Sequence, residues 1–269
     1  MARKMTYRHK RALAQGETIE RGPRFPSMPD VLKQPFLDGK ILLIDKPLHW
    51  TSFDVIRKLR AMLQIKKIGH AGTLDPLATG LLLVCTGKCT KEINQLMGQS
   101  KTYTGTITLG ATTPTYDLES DPVPVRSNLD DILDQLDTVK AAFTGEIMQR
   151  PPIYSAIKKD GIAAYELARR GTDVELAARP ITIYQIEFTR IALPELDFLV
   201  SCSTGTYIRS LAHDIGAMLG CGGYLSALRR TKIGDYPVEN ATNVDELAST
   251  LAQQISEYES AKTDNSSQS

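Results

Sequence analysis

The sequence predicts an α+β fold in which a mixed, mainly antiparallel sheet is flanked by helices. The chain has 269 residues, of which 42% are apolar and 23% charged, and this composition is typical of a globular protein with one large domain or two modest ones. Segments with strand and helix periodicity alternate irregularly along it. Neighbouring strands are joined by short turns as often as by helices, which disfavours a doubly wound parallel sheet.

The first half of the chain contains the clearest elements. Residues 40–47, KILLIDKP, indicate an apolar strand that ends in a turn at proline. Residues 51–63, TSFDVIRKLRAML, have apolar side chains at helical spacing, and Thr51 with Asp54 fits a capping box. The remaining elements are a buried strand at LLLVCTG, a brief helix at KEINQLMGQ and a strictly alternating strand at KTYTGTITLG.

The second half begins with a polar segment, residues 112–127, whose prolines and aspartates predict a loop. Residues 128–143 predict a helix. The further predictions are a short helix at AAYELARRG closed by Gly171, two strands at ITIYQIEFTRIAL and LDFLVSCS on either side of Pro194, and a helix at TGTYIRSLAHDIGAMLG.

Composition excludes several classes of protein. No apolar run approaches the roughly 18 residues that span a bilayer, and the basic N-terminus is not followed by the apolar stretch of a secretory signal. We therefore expect a cytoplasmic protein that does not associate with a membrane. The four cysteines lack paired CxxC spacing, which favours buried, reduced thiols over disulfides or a zinc site. They are Cys85, Cys89, Cys202 and Cys221.

Residues 69–80, GHAGTLDPLATG, place one carboxylate, Asp75, and one imidazole, His70, in a loop rich in glycine. Aspartate followed by proline is a common helix start, so one interpretation makes Asp75 a helix N-cap. The other makes it a catalytic carboxylate, with Gly69 and Gly72 allowing a planar group to approach the main chain. The residues of the loop alone leave both open.

A phosphate-binding loop is a third interpretation, prompted by TGKCT at residues 86–90. The motif requires glycine where Leu82 stands and serine or threonine where Cys89 stands. This interpretation therefore fails.

Taken together, the motifs resemble those of the bacterial tRNA pseudouridine synthases of the TruB type, the pseudouridine-55 synthases. GHAGTLDPLATG closely resembles the catalytic loop of that family, and other motifs follow in the family's order from about residue 40 to residue 237. These motifs are LLIDKP, WTSFDVIRKLR, KTYTGTITLG, PPIYSAIKKDGIAAYELARRG, ARPITIY and STGTYIRSLAHDIGAMLGCGGYLSALRRTKIGDYP. The resemblance implies the pseudouridine synthase fold.

The resemblance also implies that one aspartate, Asp75, isomerises the uridine at position 55 in the T loop of tRNA without cofactor or metal. tRNA, bound through its T arm, is the implied partner, and we expect a monomer that requires no protein partner. One carboxylate can suffice, because uracil leaves as an anion delocalised over two carbonyls and no second acid is needed. Attack on the ribose, addition to the uracil ring and removal of a ribose proton all remain open.

Three further residues match the family's substrate site. Arg209 would form an ion pair with Asp75, although its position alone also fits an exposed helix arginine. Tyr103 would stack on a flipped uracil, with space left beside the ring by Gly105; core filling is the alternative. His70 would meet the displaced nucleotides, whereas a lone histidine is otherwise most often hydrogen-bonded to its neighbours.

Contacts with RNA are expected from Lys46, Tyr154, Lys158 and the basic run at residues 229–232. They would bind phosphates or form pocket walls, and the alternative is that they are solvated surface charges. The chain departs from the family at His49, which occupies a turn position often taken by glycine.

Three regions are predicted along the chain: a basic N-terminal extension (1–36), a catalytic domain (37–242), and a short helix with a polar tail (243–269). The first 11 residues contain five basic side chains and no acidic one. About 30 residues follow residue 237, too few for the C-terminal RNA-binding domain of the PUA type that many relatives carry. The basic N-terminus is a candidate substitute for it.

Two other function classes remain alternatives. One is an RNA-binding module that keeps the fold without chemistry, against which the joint presence of Asp75 and Arg209 argues. The other is a nucleoside hydrolase with an aspartate nucleophile, which would release free uracil.

Overall fold

The structure is a computed structural model that describes residues 25–155, 157–159, 161–169 and 176–266. The basic N-terminal residues and Gly171 lie outside these ranges, so what was predicted for them stays a prediction. The chain divides into two compact units. The first unit contains the chain up to Gly98 and from Arg230 onward, and the second contains Gln99–Arg229.

The elements that the sequence predicts occur in the predicted order, and the structure adds others, such as the strands Gly145–Gln149 and Gly223–Ile233. The helices are α1 (Asp30–Asp38), α2 (Ser52–Leu63), α3 (Ile93–Met97), α4 (Leu136–Ala142), α5 (Ala164–Arg169), α6 (Ile208–Met218) and α7 (Val244–Ser266). The strands are β1 (Ile41–Lys46), β2 (Ile68–Ala71), β3 (Ala78–Thr86), β4 (Lys101–Leu109), β5 (Ala111–Thr112), β6 (Val123–Pro124), β7 (Gly145–Gln149), β8 (Lys158–Lys159), β9 (Ile162–Ala163), β10 (Arg179–Ala192), β11 (Glu195–Cys202), β12 (Gly223–Ile233), β13 (Tyr236–Pro237) and β14 (Thr242–Asn243).

Each unit contains a mainly antiparallel arrangement of strands. In the first unit the order is β14, β1, β3 and β12, with β2 beside β3 and β13 beside β12. The β1–β14 pair is parallel, whereas β1–β3, β2–β3 and β12–β13 are antiparallel. In the second unit the order is β12, β4, β11, β10 and β7, and the pairs from β4 to β7 are antiparallel. The predicted fold class is confirmed.

Helix α2 begins as its sequence predicts. The Asp54 N–H donates a hydrogen bond to the Thr51 hydroxyl at 3.0 Å, and the Thr51 N–H donates one to the Asp54 carboxylate at 3.1 Å. These reciprocal bonds confirm the capping box. The apolar face of α2, including Val55 and Leu59, packs in one core with Leu82 of β3. This core anchors the start of α2.

The boundaries of the first unit differ from those predicted. Phe36 is buried in the same core, so the predicted extension 1–36 ends inside packed structure. At 243–269, in place of a short helix and a polar tail, α7 continues to Ser266 and Leu251 is buried. Apolar residues at helical spacing allow α7 to bury one stripe although its average composition is polar.

Strand β4 of the second unit alternates as predicted, with Tyr103 and Ile107 buried on one face. A Cβ atom at Gly105 would lie 2.4 Å from the Ala227 carbonyl oxygen and 2.8 Å from the Phe198 ring. The expectation of unfilled space at Gly105 is therefore wrong, because a neighbouring backbone and an aromatic ring occupy it.

Other differences concern element ends. The predicted loop 112–127 contains the short strands β5 and β6. The predicted helix 128–143 opens with a 3-10 segment, Asp130–Gln135, and α6 begins only at Ile208. No helix in the described ranges combines the length and apolar character required to cross a bilayer.

Candidate active site

The segment 69–80 forms a strand, a turn and a second strand. β2 ends at Ala71, β3 begins at Ala78, and the Ala78 N–H donates a hydrogen bond to the Asp75 carbonyl oxygen at 3.1 Å. Because a strand follows, the interpretation of Asp75 as a helix N-cap is wrong. The Asp75 residue is half-buried. We call residues 72–77 the Asp75 turn.

Arg230 of β12 binds the main chain at the start of the Asp75 turn and in strand β3 after it. Its Nη2 donates a hydrogen bond to the Gly72 carbonyl at 3.0 Å, Nη1 to the Thr73 carbonyl at 3.4 Å, and Nε to the Leu81 carbonyl at 2.8 Å. The residue is 1% exposed. Neither a phosphate contact nor a solvated charge fits Arg230, because its donors face buried carbonyl oxygens.

Ser52, the first residue of α2, binds the residue before Asp75. Its hydroxyl donates to the Leu74 carbonyl at 3.1 Å and accepts a hydrogen bond from the Leu74 N–H at 2.9 Å. The His49 N–H donates to the Pro76 carbonyl at 2.8 Å. His49 has φ 66°, the left-handed conformation that explains why glycine suits this position. A second set of hydrogen bonds therefore fixes the Asp75 turn.

Lys46 is a further buried cation of the first unit. It is 0% exposed, and its ammonium donates to the carbonyl oxygens of Pro47 at 3.0 Å and Trp50 at 2.6 Å. Burial lowers the pKa of Lys46 to about 8, the Asp75 carboxylate opposes this shift, and the Arg230 charge adds to it. The interpretation as a solvated surface charge is wrong. Lys46 remains mostly protonated at neutral pH, within electrostatic reach of Asp75.

His70 lies in strand β2, opposite Val84 of β3. Burial and, second, the Arg230 charge lower the pKa of His70, so its imidazole is neutral at neutral pH. Its Nδ1 atom is buried and has no hydrogen-bond partner among the described residues. A neutral imidazole ring can still accept a hydrogen bond from a ligand or donate one to it.

In the second unit, Arg209 lies in the first turn of α6 and is 6% exposed. Its Nη1 donates to the Thr115 carbonyl at 3.2 Å and its Nη2 to the Tyr154 carbonyl at 3.1 Å. Its Nε lies 3.6 Å from a carboxylate oxygen of Asp117, a residue that is 4% exposed. The interpretation as an exposed arginine is wrong, and the ion pair with Asp75 stays a prediction.

The start of α6 is attached to the end of β7. The Gln149 side chain, which is buried, donates to the Tyr207 carbonyl at 3.1 Å and accepts from the Tyr207 N–H at 2.8 Å. The Ser210 hydroxyl donates to the Arg150 carbonyl at 2.8 Å. These bonds fix the main chain from which Arg209 projects.

The segment that carries Asp117 is also fixed within the second unit. The hydroxyls of Thr113 and Thr115 donate to the Asp117 carbonyl at 2.8 and 3.1 Å. Tyr116 has φ 62°, and its ring stacks on His213 of α6 with centroids 3.9 Å apart. The main chain that carries Asp117 beside Arg209 therefore has a defined position.

For the other predicted site residues of the second unit, the structure shows less about their contacts with a substrate. Tyr103 is 8% exposed, which fits core packing, and its stacking on uracil stays a prediction. Tyr154 is half-buried and contacts Arg209 through its carbonyl. Lys158 is the first residue of β8, and its side chain is outside the described part of the chain.

The structure therefore groups Asp75, Lys46 and His70 in the first unit, and Arg209 with Tyr154 in the second. Sequence reasoning missed the roles of Ser52 and Asp117. Ser52 gives no local sign of its role, because its partner lies 22 residues further along the chain.

Metal ligands are not clustered in the described residues, where no group of three His, Cys, Asp or Glu side chains could hold an ion. The four cysteines are free thiols, as predicted, although Cys89 is only partly buried.

Comparisons with known proteins agree with the motifs. A model of the TruB family pseudouridylate synthase N-terminal domain matches residues 60–208, and one of the tRNA pseudouridylate synthase B C-terminal domain matches residues 209–263. The second match extends beyond residue 237, where the motif resemblance ends, and covers most of α7.

Relatives named tRNA pseudouridine synthase B share substantial identity. The Flavobacterium johnsoniae protein is 56% identical over 220 residues, covering 78% of this chain and 95% of the relative. The Phocaeicola vulgatus protein is 46% identical over 225 residues, covering 81% and 96%.

Among solved structures, a Cbf5-Nop10-Gar1 complex contains a chain with TM-score 0.61 and 30% identity. An H/ACA RNP bound to a substrate RNA containing 2′-deoxyuridine gives TM-score 0.60 and 29% identity. Each match covers 87% of this chain but only 61% and 60% of the solved chains.

Proposed function

Since this chain belongs to the TruB family of pseudouridylate synthases and is an isomerase that forms pseudouridine in tRNA, we propose that it acts on the uridine at position 55 of the T loop. Asp75 is its catalytic residue in this proposal, and no cofactor takes part. The enzyme works in the cytoplasm as a monomer on the T arm of tRNA.

The observation that carries the proposal is a partly exposed carboxylate on a firmly held main chain. Arg230 and Ser52 bind the backbone around Asp75 through buried hydrogen bonds, and Lys46 supplies a nearby positive charge. Catalytic groups need such positioning, because a displacement of about 1 Å can cost roughly 100-fold in rate.

The chemistry matches a single carboxylate. The isomerisation breaks the bond from ribose C1′ to uracil N1 and forms a bond from C1′ to C5. The proton lost from C5 is balanced by one gained at N1, so no atom is gained or lost overall. The departing uracil anion is delocalised, which removes the need for the second acid that glycosidases use. Attack on ribose, addition to uracil and removal of a ribose proton are three routes that each need Asp75 as an anion.

Substrate contacts follow the family resemblance. Tyr103 stacks on the flipped uracil, His70 meets the displaced nucleotides, and Arg209 supplies a positive charge to the substrate site. Tyr154 and Lys158 complete the contacts with the substrate in this proposal.

The test is to map pseudouridine in tRNA that has been incubated with the purified protein. We expect modification at position 55, its loss in Asp75→Asn, and tRNA affinity within about threefold of wild type, since the amide keeps the shape of the side chain. Asp130→Asn, a change at an exposed aspartate, is the matched control and should leave turnover unchanged.

Turnover retained by Asp75→Asn would overturn the catalytic assignment. Modification only at other uridines would overturn the T-loop assignment. Release of free uracil would instead identify a hydrolase.

A further inference from the structure

We propose that Arg230 is a positioning residue that holds Asp75 in its reactive place by joining the start of the Asp75 turn to strand β3, which follows the turn. This inference rests on the proposed catalytic role of Asp75. Arg230 acts on the main chain that carries Asp75 and need not touch the RNA.

The burial of Arg230 is the first reason. A buried guanidinium is costly unless its donors are satisfied. In the described part of the chain, all three guanidinium nitrogens of Arg230 donate hydrogen bonds to main-chain carbonyl oxygens within residues 72–81. An arginine retained only for RNA affinity would be expected to expose its charge.

The geometry of the three hydrogen bonds is the second reason. Gly72 and Thr73 precede Asp75, whereas Leu81 follows it in β3. One planar group therefore bridges both ends of the segment and fixes the span between them. A lysine keeps the charge, but its compact ammonium cannot reproduce the fork of an arginine.

The main chain of β12 reinforces this attachment. Gly80 has φ 99°, and a Cβ atom there would lie 2.3 Å from the Arg230 carbonyl oxygen. Only glycine permits this approach, so the end of the segment is pressed against the backbone of Arg230 itself. Side chain and backbone of one residue thus define the position of the Asp75 turn.

The charge of Arg230 also reaches the neighbouring groups. It contributes to the lowered pKa of both Lys46 and His70. Removal of this charge should therefore raise the pKa of His70, whereas a lysine at the same position should largely preserve it. This difference separates the electrostatic effect of Arg230 from its hydrogen bonding.

The experiment compares Arg230→Lys and Arg230→Gln with Arg190→Lys, a change at an exposed arginine of β10 that has no role in the site. Four quantities are measured for each full-length protein: the single-turnover rate at saturating tRNA, the tRNA affinity, the His70 pKa by NMR, and amide hydrogen exchange. Exchange at Leu74 and Ala78 reports on the Asp75 turn, and exchange at Leu83 of β3 reports on the surrounding sheet.

For Arg230→Lys we expect a rate about 100-fold lower, tRNA affinity within about threefold, and faster exchange at Leu74 and Ala78 than at Leu83. Arg230→Gln should lose a similar amount of turnover and also raise the His70 pKa. The control should match wild type in all four measurements. If the glutamine variant fails to fold, the lysine variant alone decides.

A rate for Arg230→Lys within about threefold of wild type would overturn the inference. So would a loss of rate with equal acceleration of exchange at Leu74 and Leu83, because the whole unit would then be destabilised. Asp75→Asn distinguishes the two proposals: if it is inactive while Arg230→Lys is fully active, only the role of Arg230 fails. An active Asp75→Asn would instead remove the proposed catalytic role of Asp75, on which this inference rests.

Discussion

The two units hold their candidate functional groups in opposite ways. In the first unit, the main chain around Asp75 is bound by side chains from remote elements, while the carboxylate is partly exposed. In the second unit, the Arg209 side chain is itself bound, by two carbonyls and near Asp117, and it is almost fully buried.

The difference follows from the elements that carry the two residues. A helix already fixes the main chain of Arg209, so only its long side chain needs partners. A turn between strands does not fix its own backbone, so the short side chain of Asp75 depends on residues elsewhere that bind the turn. A substitution at Arg209 in the second unit should therefore leave a buried charge without its partner. A substitution at a residue that binds the Asp75 turn in the first unit should instead make the main chain of the turn less well fixed.

The largest effect should come from Arg209→Met. This change leaves the buried Asp117 carboxylate without this cation, and we expect a loss of about 3–5 kcal/mol in the free energy of unfolding. Urea denaturation measures it. Combining the change with Asp117→Asn should recover part of the loss, since both charges are then absent. Equal stability of the single and double variants would contradict the importance of the charge pair.

Tyr103 tests whether a buried aromatic residue of the second unit also serves the substrate. Tyr103→Leu should lower single-turnover rates by roughly 5- to 150-fold, equivalent to the loss of about 1–3 kcal/mol of stacking on a base. Tyr103→Phe is the control and should retain most turnover because it keeps the ring. If melting temperature falls in Tyr103→Leu while the rate of the folded protein does not, Tyr103 is a core residue only.

Ser52→Ala should loosen the Asp75 turn without removing a charge. It deletes both hydrogen bonds to Leu74, so we expect about 1–2 kcal/mol of lost stability and faster exchange of the Leu74 amide. Ser249→Ala, at an exposed serine of α7 that donates to a helix carbonyl at 3.0 Å, is the control. Unchanged exchange at Leu74 would show that Ser52 does not hold the turn.

The smallest effect concerns Asp214, a second carboxylate of the second unit. Burial raises the pKa of Asp214 to about 6, above its usual value of 3.8. The folded state therefore binds the proton more tightly than the unfolded state, and the resulting stability is lost as pH rises through 6. Asp214→Asn should accordingly stabilise the protein by roughly 1 kcal/mol at pH 7.5 after allowing for solvent screening.

The advantage of Asp214→Asn should shrink as pH falls towards 4, because the wild-type carboxyl is then neutral when folded. Thermal unfolding of both proteins across this range measures the effect. An advantage that does not depend on pH would contradict its assignment to this ionisation.

Features with a local cause were predictable from the sequence. The capping box of Thr51 and Asp54 lies within four residues, and the alternation of β4 is visible in KTYTGTITLG. The packing of α7 could also have been predicted from the sequence. The segment is polar on average, but its apolar residues recur at helical spacing.

Features with a distant cause were not predictable in this way. Arg230 binds carbonyls 149 to 158 residues earlier, and its neighbours in the sequence suggest only a basic surface run. The space expected at Gly105 is filled by Ala227 and Phe198, both far along the chain. Motif resemblance indicated Asp75 as the candidate catalytic residue, but the residues that bind its main chain follow from tertiary contacts.

The discontinuity of the first unit has a consequence for biosynthesis. The ribosome completes residues 1–98 early, yet this unit also needs β12 from Arg230 onward and α7. The second unit, Gln99–Arg229, is continuous and can be completed on the nascent chain before them. The Asp75 turn therefore cannot acquire its Arg230 hydrogen bonds until translation has passed residue 230, which makes the final geometry of this turn a late product of synthesis.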